Sequence, residues 1–292
     1  MANHRILITG AKGMLGRELV AGFTARNPAG VTAFSGPDDL DIADQASVQR
    51  VFATVEPQLV INAAAYTNVD GAERDAAAAH KANTIGPAVL AKQCYERAAV
   101  LVHYSTDYIF EDVHSSPIPI DAEKAPINEY GRSKLAGEDA IVASGCEYLI
   151  IRTSWLYAAH GNNFVRTIYR LASERDSLKV VNDQRGCPTY APDLVQMTAA
   201  LLDSGARGVY HAANSGECTW FAFAQAIIEI ARLDCEIQPC TTAEFPRPAA
   251  RPRYSVFDIS RLSARIGPPR HWRDALTECV PLLEHNSHLQ ER

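Results

Sequence analysis

The sequence predicts an α/β protein in which a doubly wound parallel sheet precedes a smaller C-terminal α/β domain. Short, β-branched apolar runs alternate with longer helix-like stretches in the first half of the chain, which indicates βαβ units. These runs are continuously apolar, as expected for strands that are buried on both faces. After about residue 155 the alternation loosens and prolines accumulate, so we expect a second region there.

The individual elements follow from the spacing of the apolar residues. Strands are predicted at Ile6–Ile8, Val31–Phe34, Leu59–Ile61, Val100–Val102 and Leu149–Ile151. Helices are predicted around the apolar face of Leu15, Leu19, Val20 and Phe23, and at His80–Arg97, Phe164–Arg175, Asp193–Asp203, Phe221–Leu233 and Asp274–Leu283. The prolines that interrupt the last third of the chain are Pro239, Pro246, Pro248, Pro252, Pro268 and Pro269. Short elements joined by loops are therefore expected in that part.

The composition excludes several classes of protein. With 292 residues, 47% of them hydrophobic and 21% charged, the chain has the usage of an ordinary globular protein. A net charge of -6 provides no basic field, so nucleic-acid binding is not expected. The N terminus lacks the apolar stretch of a signal peptide, and no apolar run approaches the ~18 residues of a membrane span, which predicts a cytoplasmic protein with no membrane partner. The seven cysteines are scattered and odd in number, which favours reduced, mostly buried thiols over disulfides or a zinc site.

The first predicted strand runs into a glycine-rich turn that opens the first helix. Gly10, Gly13 and Gly16 follow a G-x-x-G-x-x-G spacing. Glycine lets the backbone turn tightly and approach a pyrophosphate, and the free amides of a helix N terminus bind phosphate oxygens. Strand, turn and helix together predict a Rossmann-like dinucleotide site. The predicted cofactor residues of this turn are Gly10, Lys12, Gly13, Met14, Leu15 and Gly16.

The residues after the second predicted strand bear on the choice of nicotinamide cofactor. An acidic residue about 20 positions beyond the glycine turn normally binds the ribose 2′-hydroxyl of NAD. Asp38 and Asp39 come a few residues later than this position, whereas Lys12 and Ser35 would tolerate a 2′-phosphate. We therefore expect NADPH as the cofactor, with NADH as the alternative. Asp41 and Ile42 suit the adenine end of the cofactor. They are explained equally well as an aspartate that precedes a helix and an isoleucine of the hydrophobic core.

Tyr130 and Lys134 lie four positions apart in a helix-forming run, so their side chains share one helix face. A phenol has a pKa near ~10, and a neighbouring ammonium favours its ionised form, which would bring the tyrosine toward neutral pH as an acid-base group. Ser105 and Thr106 end the fourth predicted strand, at the edge of the sheet where ligands bind. A hydroxyl there can donate to a carbonyl oxygen on which charge builds. This combination predicts the reduction of a carbonyl group.

These motifs resemble those of the extended short-chain dehydrogenase/reductases that act on nucleotide sugars. Within that superfamily the chain is similar to the dTDP-4-dehydrorhamnose reductase family over nearly its whole length. The segments that carry the resemblance are the glycine turn, Asn62–Thr67, Asp70 with Glu73, His103–Phe110, Tyr130-x-x-x-Lys134, Arg152–Trp155, Gly161–Phe164, and Asn182-Asp183-Gln184 with Gly186, Pro188 and Thr189. The resemblance implies an NAD(P)H-dependent enzyme, a homodimer, that reduces dTDP-4-dehydro-β-L-rhamnose to dTDP-L-rhamnose.

The resemblance also implies a role for individual residues. Tyr130 would protonate the sugar oxygen, Lys134 would lower the tyrosine pKa and hold the nicotinamide ribose, and Thr106 would polarise the carbonyl. Asp107 would hydrogen-bond the sugar, and Trp155 would pack against it unless it is an ordinary core tryptophan. The small residues that would border the cofactor are Ala63, Ala64 and Ala65.

Arg251 resembles a family residue near the nucleotide, where a guanidinium can bind a diphosphate with two hydrogen bonds. A surface salt bridge is the alternative for this arginine. The resemblance makes residues 1–155 the dinucleotide-binding domain, to which segments near 185–215 return, and residues 156–292 mainly the substrate-binding domain. Some members of the family bind Mg²⁺ at a dimer contact through acids that match Glu18 and Asp193. Because a convincing site needs at least about three carboxylates, which the sequence does not assemble, no metal is predicted.

Two stretches depart from the family pattern, and other functions stay open. Residues 111–116 lack the usual glycine-bearing loop, and Arg253-Tyr254 has no obvious counterpart, so the substrate is open to another nucleotide-linked 4-keto sugar. A 4-epimerase would keep the same tyrosine and lysine. A dehydratase would need an acid-base carboxylate pair after the threonine, where this chain has Asp107-Tyr108. A non-catalytic cofactor-binding regulatory subunit is the alternative from another class, although the catalytic residue types are all present.

Overall fold

The computed structural model describes residues 4–290, with side chains described as far as Leu283. Its strands are β1 (Ile6–Thr9), β2 (Val31–Ala33), β3 (Leu59–Asn62), β4 (Val100–Thr106), β5 (Tyr148–Thr153), β6 (Leu156–Tyr157), β7 (Ser177–Val181), β8 (Arg185–Gly186), β9 (Thr189–Tyr190), β10 (Gly208–His211), β11 (Cys218–Thr219), β12 (Glu236–Cys240) and β13 (Tyr254–Ser255). Six of them form the main sheet, which is parallel and has the order β10-β5-β4-β3-β1-β2. The five strands predicted from the sequence are thus confirmed, together with the parallel, doubly wound sheet.

Helices cover both faces of this sheet. They are α1 (Met14–Arg26), α2 (Pro37–Leu40), α3 (Gln45–Val55), α4 (Val69–Ala72), α5 (Ala76–His80), α6 (Gly86–Glu96), α7 (Glu129–Ala143), α8 (Phe164–Glu174), α9 (Ala191–Asp203), α10 (Trp220–Ala231), α11 (Ser260–Ile266) and α12 (Trp272–Gln290). On one face Ile6 and Ile8 pack with Phe23 of α1 and Leu194 of α9. On the other face the core includes residues of β1, β3, β4, α3, α6 and α7. Apolar surface is therefore removed from water on both sides of the strands, as their continuous apolar sequence requires.

The single helix predicted over His80–Arg97 is wrong in its first part. A π-helical turn at Lys81–Ile85 separates α5 from α6, and the Gly86 amide donates to the Lys81 carbonyl five residues back. Pro87 has no amide proton to donate to the carbonyl of Asn83, four residues earlier, so a regular α-helical hydrogen bond is lost at this point.

The second region builds its own core. β7 pairs in parallel with β12, and α8, α10 and α12 pack around an apolar cluster that includes Val165, Phe223 and Leu276. The helices predicted at 164–175, 193–203, 221–233 and 274–283 all form, with ends shifted by at most two residues except where α12 continues to Gln290. β10 and α9 come from the later half of the chain and join the main sheet and α1.

All seven cysteines are free and buried, as predicted. Burial raises the pKa of Cys187 to about 12, which keeps this thiol protonated. Among the described residues, no helix combines the length and the apolar character that crossing a bilayer requires.

Candidate active site

The glycine turn forms a cradle between β1 and α1. Gly10 adopts a left-handed φ of +68°, and a Cβ built on it would lie 2.6 Å from the Ala64 amide nitrogen and 2.7 Å from the Ala63 carbonyl oxygen. Gly16 packs directly on the Gly10 carbonyl, so its position also excludes a side chain. α1 begins after Gly13 with no side-chain cap and no acidic residue in its first turn. These first amides therefore keep their capacity to bind an anion, as a pyrophosphate site requires.

A cleft of about 380 Å³ opens beside this cradle and collects most of the predicted cofactor residues. The predicted residues that line it are Gly10, Gly13, Ser35, Asp41, Ile42, Ala63, Ala64 and Ala65. Lys12 is exposed at the turn, and Leu15 is buried in the core with only 9% of its surface exposed. Met14 points its sulfur toward the Asn163 side-chain amide, at 3.4 Å. The walls of the cleft suit a dinucleotide, because small side chains and glycines leave the backbone accessible.

Lys81 is a residue of this cleft that the sequence reasoning missed. Its ammonium donates to Asp41 Oδ2 at 2.9 Å, and this hydrogen bond holds the pKa of Asp41 below its usual value. Ile42 is buried and packs against Gly86, so its side chain belongs to the core as well as to the wall of the cleft. The π-helical turn that contains Lys81 brings the ammonium here, and the sequence carries no signal for that turn beyond Pro87.

The predicted reaction centre lies where β4 ends. Thr106 is the last residue of the strand, and its hydroxyl donates to Asp107 Oδ1 at 2.9 Å while it accepts from the Tyr108 amide at 3.3 Å. Asp107 is 3% exposed, and its Oδ2 has no hydrogen-bond partner among the described residues. Burial raises the pKa of Asp107 to about 6, against the hydrogen bond from Thr106. A buried carboxylate oxygen without a partner is suited to accept from a polar ligand.

Tyr130 is the second residue of α7 and faces this strand end. Its ring meets the Tyr108 ring edge to face, with the centroids 5.7 Å apart. Burial raises the pKa of Tyr130, the charge of Asp107 raises it further, and the nearby Thr106 hydroxyl opposes the rise. The surrounding residues therefore favour a neutral phenol, which is the proton-donating form. This differs from the expected lowering of the tyrosine pKa by Lys134.

Lys134 lies one turn along α7 and is buried, with 2% of its surface exposed. Its Nζ donates to the Tyr104 carbonyl at 2.6 Å and lies 3.2 Å from His103 Nε2. Burial lowers the pKa of Lys134 to about 8, and the charge of Glu138 opposes this shift. The ammonium is thus directed toward β4, and loss of its proton falls close to the neutral range.

Trp155 has an unusual backbone for a bulky residue, with a left-handed φ of +46°. Its indole stacks on that of Trp220, with centroids 3.5 Å apart and an angle of 8° between the planes. Gly186 sits against the indole edge, where a Cβ would collide with the ring. The stack and the glycine together hold the half-buried Trp155 in its strained backbone conformation.

Arg251 is held inside the site by an aspartate that the sequence reasoning did not assign to it. Its guanidinium donates to Asp70 Oδ1 and to the Ala249 carbonyl, both at 2.6 Å. Burial raises the pKa of Tyr108, and the charge of Arg251 opposes this rise. Because the side chain of Arg251 is only 16% exposed, this is a partly buried ion pair beside the reaction centre.

The two stretches that depart from the family pattern contact each other. Asp112 accepts from the Arg253 amide at 2.6 Å, and its other carboxylate oxygen lies 3.3 Å from Arg253 Nε. Both stretches line a second pocket of about 620 Å³, together with Asp183, Arg185 and Glu217. The departures therefore form one wall of a polar pocket.

Glu18 and Asp193, which match the metal-binding acids of some family members, form hydrogen bonds with other side chains of this chain. Asp193 accepts two hydrogen bonds from Arg270, from Nε and from a terminal nitrogen, both at 2.7 Å. Glu18 accepts from His160 at 2.6 Å. Among the described side chains, no three histidines, cysteines or acids come together as a metal site. The residues present here do not fit a divalent cation, because a guanidinium already occupies the carboxylate oxygens of Asp193.

A glycine cradle on β1, a Tyr-x-x-x-Lys helix and hydroxyls at the end of β4 define a Rossmann-fold oxidoreductase of the short-chain dehydrogenase/reductase class. A family model described as the RmlD substrate binding domain matches residues 4–284. The chain is 44% identical over 288 residues to a dTDP-4-dehydrorhamnose reductase from Streptomyces griseus, covering 96% of this chain and 94% of that protein. The chain therefore belongs to the dTDP-4-dehydrorhamnose reductase family.

Two further relatives are similar to this chain over nearly its whole length. A dTDP-4-keto-6-deoxy-D-glucose reductase from Streptomyces niveus is 41% identical, over 96% of this chain and 97% of its own length. A solved structure of dTDP-4-dehydrorhamnose reductase from Bacillus anthracis, in complex with NADP, superposes with a TM-score of 0.90 at 39% identity and covers 96% of this chain and 99% of that one.

Proposed function

We propose that this protein uses NADPH to reduce the 4-keto group of dTDP-4-dehydro-β-L-rhamnose, which gives dTDP-L-rhamnose. The observation that carries the proposal is the position of Tyr130 on α7, next to Tyr108 and facing Thr106 and Asp107 at the end of β4. The reductase from Streptomyces griseus, at 44% identity, supports the substrate.

Each residue of the reaction centre has a role in this proposal. Tyr130 donates its proton to the oxygen of the reduced carbonyl, and the Thr106 hydroxyl turns from Asp107 Oδ1 to donate a hydrogen bond to the same oxygen. Asp107 accepts from a sugar hydroxyl through its unpartnered Oδ2. Lys134 places its amine beside the nicotinamide ribose, and Trp155 packs against the sugar.

The cradle and the cleft next to it are the proposed cofactor site. Bound there, NADPH supplies the hydride. The residues proposed to hold it are Gly10, Lys12, Gly13, Met14, Leu15, Gly16, Ser35, Asp41, Ile42, Ala63, Ala64, Ala65, Tyr130 and Lys134. Ser35 lines the cleft, and the relative from Bacillus anthracis binds NADP, which supports NADPH over NADH. Arg251 is proposed for the substrate diphosphate, which would compete with Asp70 for the guanidinium.

The test is the loss of nicotinamide absorbance when the purified protein meets dTDP-4-dehydro-β-L-rhamnose, with NADPH and with NADH in separate reactions. Tyr130→Phe should lower turnover by at least roughly 10²-fold, the usual scale for an acid-base catalyst. Tyr108→Phe removes the neighbouring phenol and serves as the matched control, with a much smaller effect expected. Cofactor binding without any turnover would refute the assigned substrate and would indicate another 4-keto sugar first and a regulatory role second.

A second candidate substrate has support of its own. The relative from Streptomyces niveus is a dTDP-4-keto-6-deoxy-D-glucose reductase, and this chain departs from the family pattern in one pocket wall, at Asp112 and Arg253. Comparing kcat/KM for the two 4-keto sugars decides between them. Interconversion of the two C4 epimers of a 4-hydroxy nucleotide sugar, with no net cofactor consumption, would instead indicate a 4-epimerase.

We also propose that the protein is a cytoplasmic homodimer, with a dinucleotide domain over residues 1–155 and a substrate domain mainly over 156–292. The family resemblance supports the dimer, and the separate apolar core of the second region supports the division. Light scattering on the purified protein tests the dimer, and cell fractionation tests the location. Limited proteolysis near residue 155 tests the division, with 185–215 expected to stay with the first domain.

A further inference from the structure

Buried polar side chains form a chain across the sheet behind Lys134. The Thr9 hydroxyl donates to Asn62 Oδ1 at 2.6 Å. Asn62 Nδ2 lies 3.1 Å from His103 Nδ1, and His103 Nε2 lies 3.2 Å from Lys134 Nζ. Each of these four residues is at most 2% exposed. Without access to water, their donors and acceptors must satisfy one another.

One backbone amide determines the direction of the hydrogen bonds in this chain. The Ala64 N–H, which can only donate, lies 3.2 Å from Asn62 Oδ1. That contact identifies the atom as the carbonyl oxygen of the side-chain amide, so Asn62 turns its NH₂ toward His103. Because an NH₂ group only donates, His103 Nδ1 must accept. Burial holds the pKa of His103 well below its usual value, so the ring is neutral and its one proton is on Nε2.

This tautomer has a consequence for the lysine. His103 Nε2–H is directed at Lys134 Nζ, which itself donates to the Tyr104 carbonyl. An ammonium carries three donors and no acceptor, so an N–H of Lys134 would face the N–H of His103 with no acceptor between them. A neutral amine has a lone pair that accepts from His103. We propose that Asn62 and His103 are a positioning pair that favours the neutral amine of Lys134 by presenting it with a fixed imidazole N–H.

Burial and the charge nearest to Lys134 act on its pKa in opposite directions, so the hydrogen bond from this pair can determine its protonation state. Burial lowers the pKa of Lys134 to about 8, and on its own helix Glu138 favours the ammonium. Arg152 of β5 binds the Glu138 carboxylate at 2.8 Å and shares its charge. β4 presents the His103 ring and the Tyr104 carbonyl to Nζ, and the 3-10 turn after β4 carries Asp107.

The link between this pair and turnover rests on the proposed function, in which Lys134 lies beside Tyr130 and the nicotinamide ribose. The ammonium assists proton donation by a phenol, because it stabilises the phenolate that remains. Turnover should therefore fall as the pH rises through the pKa of Lys134. This fall is the alkaline limb of the pH profile, and the positioning pair determines the pH at which it occurs.

Asn62→Asp reverses the tautomer with a change of one atom. Its carboxylate still accepts from Thr9 and Ala64, but its second oxygen also accepts, so His103 must donate from Nδ1 and offer the Nε2 lone pair to Lys134. Nitrogen-15 NMR should show an Nε2–H ring in the unaltered protein and an Nδ1–H ring in Asn62→Asp, with His103→Gln identifying the signal among the nine histidines. An Nδ1–H ring in the unaltered protein overturns the proposal.

A carbon-13 titration of the lysine Cε signals then reports the protonation of Lys134 directly. Its midpoint should rise by at least about one pH unit in Asn62→Asp, as a new partner for the ammonium predicts. The added charge alone is controlled by the same substitution in a His103→Phe background, where the rise should be smaller. Equal rises in both backgrounds would overturn the coupling through His103.

These spectra use no substrate, so they separate the two proposals. Spectra as expected, with no turnover, leave the positioning pair in place and refute the proposed reaction. Where turnover is present, the alkaline limb of kcat should move with the Lys134 midpoint, and a limb that stays in place while the midpoint moves overturns the link to turnover.

Discussion

The buried ion pair between Glu138 and Arg152 offers a quantitative test of how the helix of the reaction centre is held. Their side chains are 2% and 1% exposed, and three guanidinium-to-carboxylate hydrogen bonds of 2.8, 3.0 and 3.3 Å join α7 to β5. Arg152 also donates to the Ile120 carbonyl at 2.8 Å and lies over the Phe110 ring. Glu138→Gln keeps the size of the side chain and removes its charge.

The expected loss of stability follows from the burial of the partner. The substituted amide would leave Arg152 charged and out of water, with an NH₂ group facing the guanidinium in place of an oxygen. Removing one member of a buried pair costs about 3–5 kcal/mol of unfolding free energy. Replacing both members, as in Glu138→Gln with Arg152→Met, removes the uncompensated charge, so the double variant should be more stable than Glu138→Gln.

Urea unfolding followed by circular dichroism measures these differences. The exposed pair of Arg170 and Glu174, 3.1 Å apart, is the control, and Glu174→Gln should cost no more than about 0.5 kcal/mol. A loss below about 1 kcal/mol in Glu138→Gln would refute the reasoning, because a buried guanidinium would then tolerate the missing charge. A double variant less stable than Glu138→Gln would refute the role assigned to the uncompensated charge.

Three further predictions concern the site. Gly10→Ala should weaken NADPH binding about 10-fold or more, measured by calorimetry, because its methyl group would lie 2.6 Å from the Ala64 nitrogen at a positive φ; unchanged affinity would contradict the cradle. Asp107→Asn should stabilise the protein by up to about 3 kcal/mol near pH 8 and by nothing below pH 3.8: burial raises the folded pKa to about 6, so ionisation costs stability as the pH rises through this window. Equal gains at both pH values in urea unfolding would exclude this cause. Gly186→Ala should displace the Trp155 indole and lower stability by about 1–3 kcal/mol, with a changed tryptophan emission; an unchanged spectrum would contradict the contact.

Local patterns predicted the sheet and the general position of the site. The five apolar runs became β1 to β5, because continuous apolar strands are stable only when both faces are covered. The glycine turn follows β1, the hydroxyls end β4, and Tyr130 and Lys134 lie on α7, so the three signals come from separate parts of the chain. Their convergence follows from the rule that the carboxyl ends of parallel strands share one edge.

Contacts between distant segments were less predictable. Lys81 enters the cofactor cleft through a π-helical turn, and Asp70 reaches Arg251 across 181 residues of sequence. Asn62 and His103 carried a usable signal, since each is a polar residue next to an apolar run, and buried polar groups must be paired. Their partner could not be named until the register of β3 against β4 placed them side by side.

The order of residues along the chain determined the fold class, the glycine cradle and the helix face that carries the tyrosine and the lysine, because these depend on backbone conformation and on spacing over a few residues. Only the tertiary structure decided the protonation of the site. Burial raises the pKa of Tyr130 and lowers that of Lys134, and both shifts depend on which groups the packed strands and helices exclude from water. Solvent exposure and the direction of a hydrogen bond are properties of three-dimensional packing, which spacing along the sequence does not encode.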